Sequence, residues 1–151
     1  MFPLQISSLE GLLTFRVLVA CILGLLIGLE RKGGPSGAGM RTFSLISMGS
    51  AMFTVLSVWG FGPDTDPSRL AAQIVTGMGF IGAGVIWRQR EEAVHGITTA
   101  AAIWVSAAVG IGVALGYYLM SLLISLMTMF ILSRGHPIKG ASENIKTELR
   151  H

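Results

Sequence analysis

Four side chains stand where chemistry could be done: Arg16, Asp66, Arg69 and Gln73. Arg16 lies inside an otherwise apolar stretch from Leu12 to Leu29. A charge at the centre of a membrane helix costs about 2.5 to 3.5 kcal/mol on insertion scales; Arg16 is expected four residues inside its stretch, near the outer end rather than the centre, and still needs a reason. Two reasons are open. Arg16 can snorkel to the headgroups, or it can face other helices and pair with a carboxylate, for which Asp64 and Asp66 are the candidates at that end. Asp66-Pro67 has the form of a helix N-cap followed by proline at the first helical position. From there Asp66, Arg69, Gln73 and Thr76 follow at i, i+3, i+7 and i+10, which is one helical face. A polar stripe of this kind avoids lipid and faces protein or water. With Arg16 it outlines a polar cluster whose two arginines repel a metal cation and suit an anion or a proton-linked solute.

A second cluster gathers at the opposite ends of the same stretches: Glu30, Arg31, Arg41, Thr42, Thr98 and Thr99. Its plainest reading is structural, with the threonines capping helices and Glu30 pairing with Arg41 across a loop. His95 beside Glu91 and Glu92 makes a thin case for a metal, and no metal site is expected. The single cysteine, Cys21, excludes a disulfide framework and a cysteine zinc site. No paired carboxylates and no Ser-His-Asp or Cys-His set are visible, so neither an enzyme nor a cofactor is expected. The run Gly77-Met78-Gly79-Phe80-Ile81-Gly82-Ala83-Gly84 contains GxGxxG. It lies inside an apolar stretch, not between a strand and a soluble helix, which rejects the dinucleotide reading. Gly77, Gly79, Gly82 and Gly84 are expected instead at close helix contacts or at a helix break. Gly24 with Gly28, and Gly112 with Gly116, have the small-xxx-small spacing of packed membrane helices.

The elements that must position these residues follow from composition. Of 151 residues, 52% are hydrophobic and 13% charged, with a mean hydropathy of +0.68. Soluble domains carry about 25% charged residues. A bilayer core about 30 Å thick needs roughly 20 apolar residues per helix. Five stretches qualify or nearly so, at about 12–29, 43–61, 70–87, 97–115 and 117–132, the last two separated by a turn near Gly116. The expected fold is an all-α polytopic membrane bundle of about five helices, residues 1–133, with a short polar cytoplasmic tail, 134–151, in which a helix is expected around Ser142 to Leu149. Nine basic residues fall in the loops 30–41 and 88–92 and in the tail, against Arg69 alone in the 62–69 loop. Lys and Arg mark the cytoplasmic side, so the N-terminus is expected outside and the C-terminus inside. The same distribution explains the pI near 9.5 without a nucleic-acid face. Leu18-Val19-Ala20-Cys21 imitates a lipoprotein cleavage box, but Arg16 leaves too short an apolar region before it and no basic segment opens the chain.

Two segments resemble each other. Gly39–Ile46 aligns with Gly96–Ile103, Ser50-Ala51-Met52 with Ala107-Ala108-Val109, and, with a one-residue gap, Ile27-Gly28 with Ala83-Gly84. The implied unit is helix, loop, helix, repeated in the same direction. Parallel repeats of this kind place sites between the halves.

Taken together, these pieces resemble the MgtC/SapB family of bacterial inner-membrane proteins. The matching residues are Arg16, Gly28-Leu29-Glu30-Arg31, Gly39-Met40-Arg41-Thr42, Asp66 to Val75, Gly77 to Ile86, Gly96 to Ala101, and Trp104. The resemblance implies about five spans and a part in adaptation to low magnesium, for some members with survival inside host cells. It implies regulation of other membrane proteins, among them P-type magnesium transporters and the F-type ATP synthase, more than transport of magnesium itself. Longer members carry a soluble C-terminal domain, so a short form is expected here, and Thr98 stands where some members have Asn. Expected partners are the lipid bilayer, another membrane protein and a second copy of the chain. The competing reading is a transporter or channel for a small ion or solute, with its site between the helix pairs.

Overall fold

The computed structural model describes residues 3–31, 37–62, 66–88 and 94–134, with side chains from residue 8 onward and excluding 87 and 88. Glu91, Glu92, Asp64 and the tail helix expected at 142–149 lie outside the described residues. A helix occupies each of the five apolar stretches: Pro3–Leu29 (α1), Met40–Trp59 (α2), Ser68–Val85 (α3), Ile97–Ala114 (α4) and Tyr118–Ser133 (α5). Between α3 and α4, Trp87–Arg88 and Val94–His95 form a two-residue antiparallel pair. The fold is an all-α membrane bundle. Three segments, Ser8–Leu29, α2 and α4, are long and apolar enough to cross a membrane by length and composition. Helix α3 carries Arg69 and Gln73 near its start, and α5, at 16 residues, is shorter.

Helix α1 starts earlier than the apolar pattern indicates, at Pro3, because proline is well placed in a first turn. Arg16 is therefore at mid-helix rather than near the helix end.

Glycine sets how closely the helices approach. A Cβ at Gly24 would lie 2.5 Å from the Phe43 carbonyl oxygen, and one at Gly28 2.5 Å from Met40 Cα. These contacts hold α1 and α2 antiparallel with backbones touching, the form of association that lipid favours. Ser106 Oγ donates to the Phe43 carbonyl at 3.0 Å, and Gly110 lies on the backbone of Ser47. Contacts that advance together along both chains mean that α2 and α4 run in the same direction. Gly96 lies on the Val85 carbonyl and Gly82 near Ala100, so α3 and α4 form a second antiparallel hairpin. Phe43, Ile27, Ile103, Val109 and Val113 fill the centre, all fully buried.

The two hairpins follow the arrangement that the sequence repeat implies. At equivalent positions, the Gly39 carbonyl accepts from Phe43 N at 3.1 Å and the Gly96 carbonyl from Ala100 N at 2.9 Å. Helix α5 lies outside the repeat. It joins α4 through a turn in which Gly116 has φ +91°, a left-handed conformation that glycine adopts without steric cost.

The glycines of α3 depart from expectation. The helix runs unbroken through Gly77, Gly79, Gly82 and Gly84. Only a Cβ at Gly82 would meet a neighbour, Ala100 Cβ at 3.6 Å, and the other three face open space. The cause is geometric. Gly82 lies on the side of α3 against α4, and the other three glycines lie off that contact.

Candidate functional site

The guanidinium of Arg16 gathers three helices. Nη1 donates to the Ala114 carbonyl at 2.7 Å, and Nε donates to the Tyr118 hydroxyl at 3.2 Å. The carbon at the centre of the guanidinium lies 5.4 Å from the Trp59 ring centroid, a cation–π distance. Side chains on a helix lean toward its N-terminus, so Arg16 reaches past its own level to the end of the bundle where α2 stops and α4 turns into α5. Ala114 closes α4, and the last carbonyls of a helix lack intrahelical donors and form the negative end of its dipole. Arg16 supplies both a donor and a positive charge there. Trp59, Tyr117 and Tyr118 are exposed around it, the amphipathic aromatics typical of a membrane–water boundary.

Asp66 is held elsewhere. Its Oδ1 accepts from Ser68 N at 2.9 Å and from Ser68 Oγ at 2.7 Å. Those two bonds, with a smaller contribution from the charge of Arg69, hold the carboxyl below its ordinary range. No Arg16–Asp66 ion pair exists among the described residues, because the polypeptide's own carbonyl and phenol already occupy the arginine. The stripe Asp66, Arg69, Gln73 and Thr76 is exposed along α3, and Thr76 Oγ1 bonds its own helix at the Ala72 carbonyl, 3.1 Å away. The structure thus splits the expected outer cluster into an arginine clamp on one side and a polar start to α3 on the other.

At the opposite end, the turns after α1 and before α2 and α4 bring the second cluster to one end of the bundle. Thr99 is fully buried, while Glu30, Arg41 and Thr98 are exposed and Arg31 and Thr42 are half-buried. Neither α2 nor α4 has a side-chain cap, so the threonines do not serve as caps. The N-cap positions are Gly39 and Gly96, whose place is set by the turns. No Glu30–Arg41 ion pair is present among the described residues. Arg31 Nε is buried without a hydrogen-bond partner there. Metal-ligand groups of three or more acidic, His or Cys residues are absent among the described residues.

Two hydroxyl stripes were not singled out in the sequence. Ser47, Ser50, Thr54 and Ser57 recur at i, i+3, i+7 and i+10 on α2, and Ser121, Ser125 and Thr128 at i, i+4 and i+7 on α5, all buried. Their spacing inside apolar runs was the available signal. Ser57 Oγ donates to the Pro67 carbonyl at 2.7 Å and ties α2 to the start of α3. Thr54, Ser125 and Thr128 return their hydroxyls to their own helices, while Ser47 and Ser121 keep buried oxygens without partners among the described residues. These stripes are packing surfaces of the polar kind used between membrane helices.

A cavity of about 410 Å³ separates α2 from α3, lined mostly by apolar side chains with Gln73 and Ser50 among them.

The class is thereby defined: a membrane helix bundle built on two parallel helix hairpins and a fifth helix, closed at one end by an arginine. The chain belongs to the MgtC family, whose model matches residues 17–141. It is 45% identical over 130 residues to a protein of Escherichia coli K12 named "Putative magnesium transporter YhiD", covering 82% of this chain and 60% of that protein. To "Protein MgtC" of Salmonella typhimurium LT2 it is 43% identical over 129 residues, covering 85% and 53%. To "Protein SrpB" of Synechococcus elongatus it is 37% identical over 133 residues, covering 80% and 73%. The chain thus spans 60% of YhiD and 53% of MgtC. No solved structure matches it.

Proposed function

We propose that this chain is a non-catalytic regulator of membrane ion transport, active in adaptation to low magnesium, that works by docking against the membrane helices of another protein. The observation that carries the reading is the free side of α3. Only Ile74 and Gly82 of its 18 residues are buried. Ala72, Thr76, Gly79 and Ala83 recur at i, i+4, i+7 and i+11 on one exposed face. Elsewhere in the bundle the small residues at such spacing, Gly24 and Gly28, are filled by a neighbouring backbone. An open face of the same kind is suited to a helix from another chain. Family membership supports the link to magnesium, and the basic loops support an inner-membrane location with the N-terminus outside.

The name of YhiD describes that relative as a putative magnesium transporter. In this chain the α2–α3 cavity offers a cation only an amide and a hydroxyl, where magnesium requires oxygen ligands in octahedral array and keeps several waters. The regulator reading is therefore preferred.

Co-purification from native membranes grown at low magnesium, in a mild detergent, tests it. A membrane-transport protein is expected with the parent chain and about tenfold less of it with Gly79→Leu, given roughly 1 to 2 kcal/mol per helix contact. A Cβ at Gly79 meets nothing within 4 Å, so the variant's own fold is preserved. Recovery of the chain alone, or equal capture by the variant, rejects the reading.

A further inference from the structure

The cavity between α2 and α3 exists because both walls carry glycine. Gly49 on α2 and Gly77 on α3 line it, and a Cβ at either would meet nothing within 4 Å. Its rim is formed by exposed apolar side chains, Leu45, Phe53 and Ile81. Along α3 it runs from Leu70 to Ile81, about 16 Å at 1.5 Å per residue. That length matches one leaflet, half of a hydrocarbon core about 30 Å thick. The groove therefore suits a single extended hydrocarbon chain.

Its polar end is graded with depth. Asp66 and Arg69 stand at the start of α3, exposed and of opposite charge. Gln73 follows Arg69 by one turn on the same edge and lines the groove. Its carboxamide has no hydrogen-bond partner, and Arg69 has no ion pair, among the described residues. Gln73 is exposed at the groove, so its amide is open to a ligand acceptor at that depth. Asp66 keeps one carboxylate oxygen clear of Ser68, which bonds Oδ1.

We propose that the α2–α3 groove binds one glycerophospholipid with a zwitterionic headgroup ending in a primary ammonium. Arg69 takes the phosphate, Asp66 the ammonium and Gln73 an ester carbonyl, and one acyl chain lies between Gly49 and Gly77. The adjacent opposite charges select this headgroup over an anionic one, which Asp66 repels. A quaternary ammonium has no N–H to donate to Asp66. The groove lies on the side of α3 roughly opposite the partner face and does not depend on it.

The test is native mass spectrometry of the full chain after exchange into an equimolar mixture of phosphatidylethanolamine, phosphatidylcholine and phosphatidylglycerol with identical acyl chains. One retained phosphatidylethanolamine per chain is expected, at least fivefold over the other two. Gly77→Leu, with helicity checked by circular dichroism, should abolish retention by filling the groove. Asp66→Asn should shift the preference to phosphatidylglycerol. Equal retention of the three lipids overturns the proposal. So does unchanged retention in Gly77→Leu, or a polypeptide displaced by that variant in place of lipid.

Discussion

At the scale of residues, Arg16 shows what one chain of letters conceals. Its type and its apolar setting marked it, but its partners are a backbone carbonyl, a phenol and an indole. A carbonyl leaves no signature in a sequence, and Tyr118 and Trp59 read as ordinary boundary aromatics. The polar residues of α3 drew attention to Asp66, which is satisfied by its own neighbour Ser68. Reversing both charges, Arg16→Asp with Asp66→Arg, should therefore leave the protein as unstable as Arg16→Asp alone in thermal unfolding in detergent. Tyr118→Phe removes one acceptor and should cost about 1 kcal/mol in the same measurement. Because the Asp66 carboxyl is held below its ordinary 3.8 in the folded chain, its contribution is complete above the unfolded value and is lost as pH falls through the lower folded value. Ser68→Ala removes the largest cause, so the Asp66 titration followed by carbon NMR should move up toward 3.8.

At the scale of helices, the apolar stretches, three charged gaps and the turn expected near Gly116 located all five, since length, charge and glycine are properties of the letters themselves. The neighbours of each helix were less legible. Gly24 and Gly28 pack as their spacing indicates, whereas Gly77, Gly79 and Gly84 share the same residue type and meet nothing. Spacing reports that a helix can be approached closely, and only the fold reports which approaches are taken. Substitution should separate the two groups. Gly28→Ala forces apart two backbones and should destabilise by about 1 to 3 kcal/mol. Gly84→Ala should be neutral or stabilising by up to about 1 kcal/mol, since alanine is the better helix former and open space receives its methyl. Chemical denaturation monitored by helicity checks both. The buried hydroxyls of α2 and α5 were passed over because serine in an apolar run reads as neutral filler, although their three-and-four spacing is itself a helix face.

At the scale of the whole molecule, the parallel course of α2 and α4 agrees with the repeat in the sequence, and the basic loops predict an orientation that labelling can test. With Cys21 replaced by Ser, a single cysteine at Gly37 should react only from the cytoplasmic side. One at Gly62 should react with an impermeant maleimide added to intact cells. Labelling in the opposite sense would invert the topology. The clamp also orders events in time. Arg16 finds its two hydrogen-bond acceptors 98 and 102 residues further along the chain. At about 5 to 20 residues per second, the ribosome takes roughly 5 to 20 seconds to supply them. Through that interval α1 holds an unpaired guanidinium, which headgroups and water must accommodate. Emergence of α5 then ends the wait, so insertion of α5 secures α1.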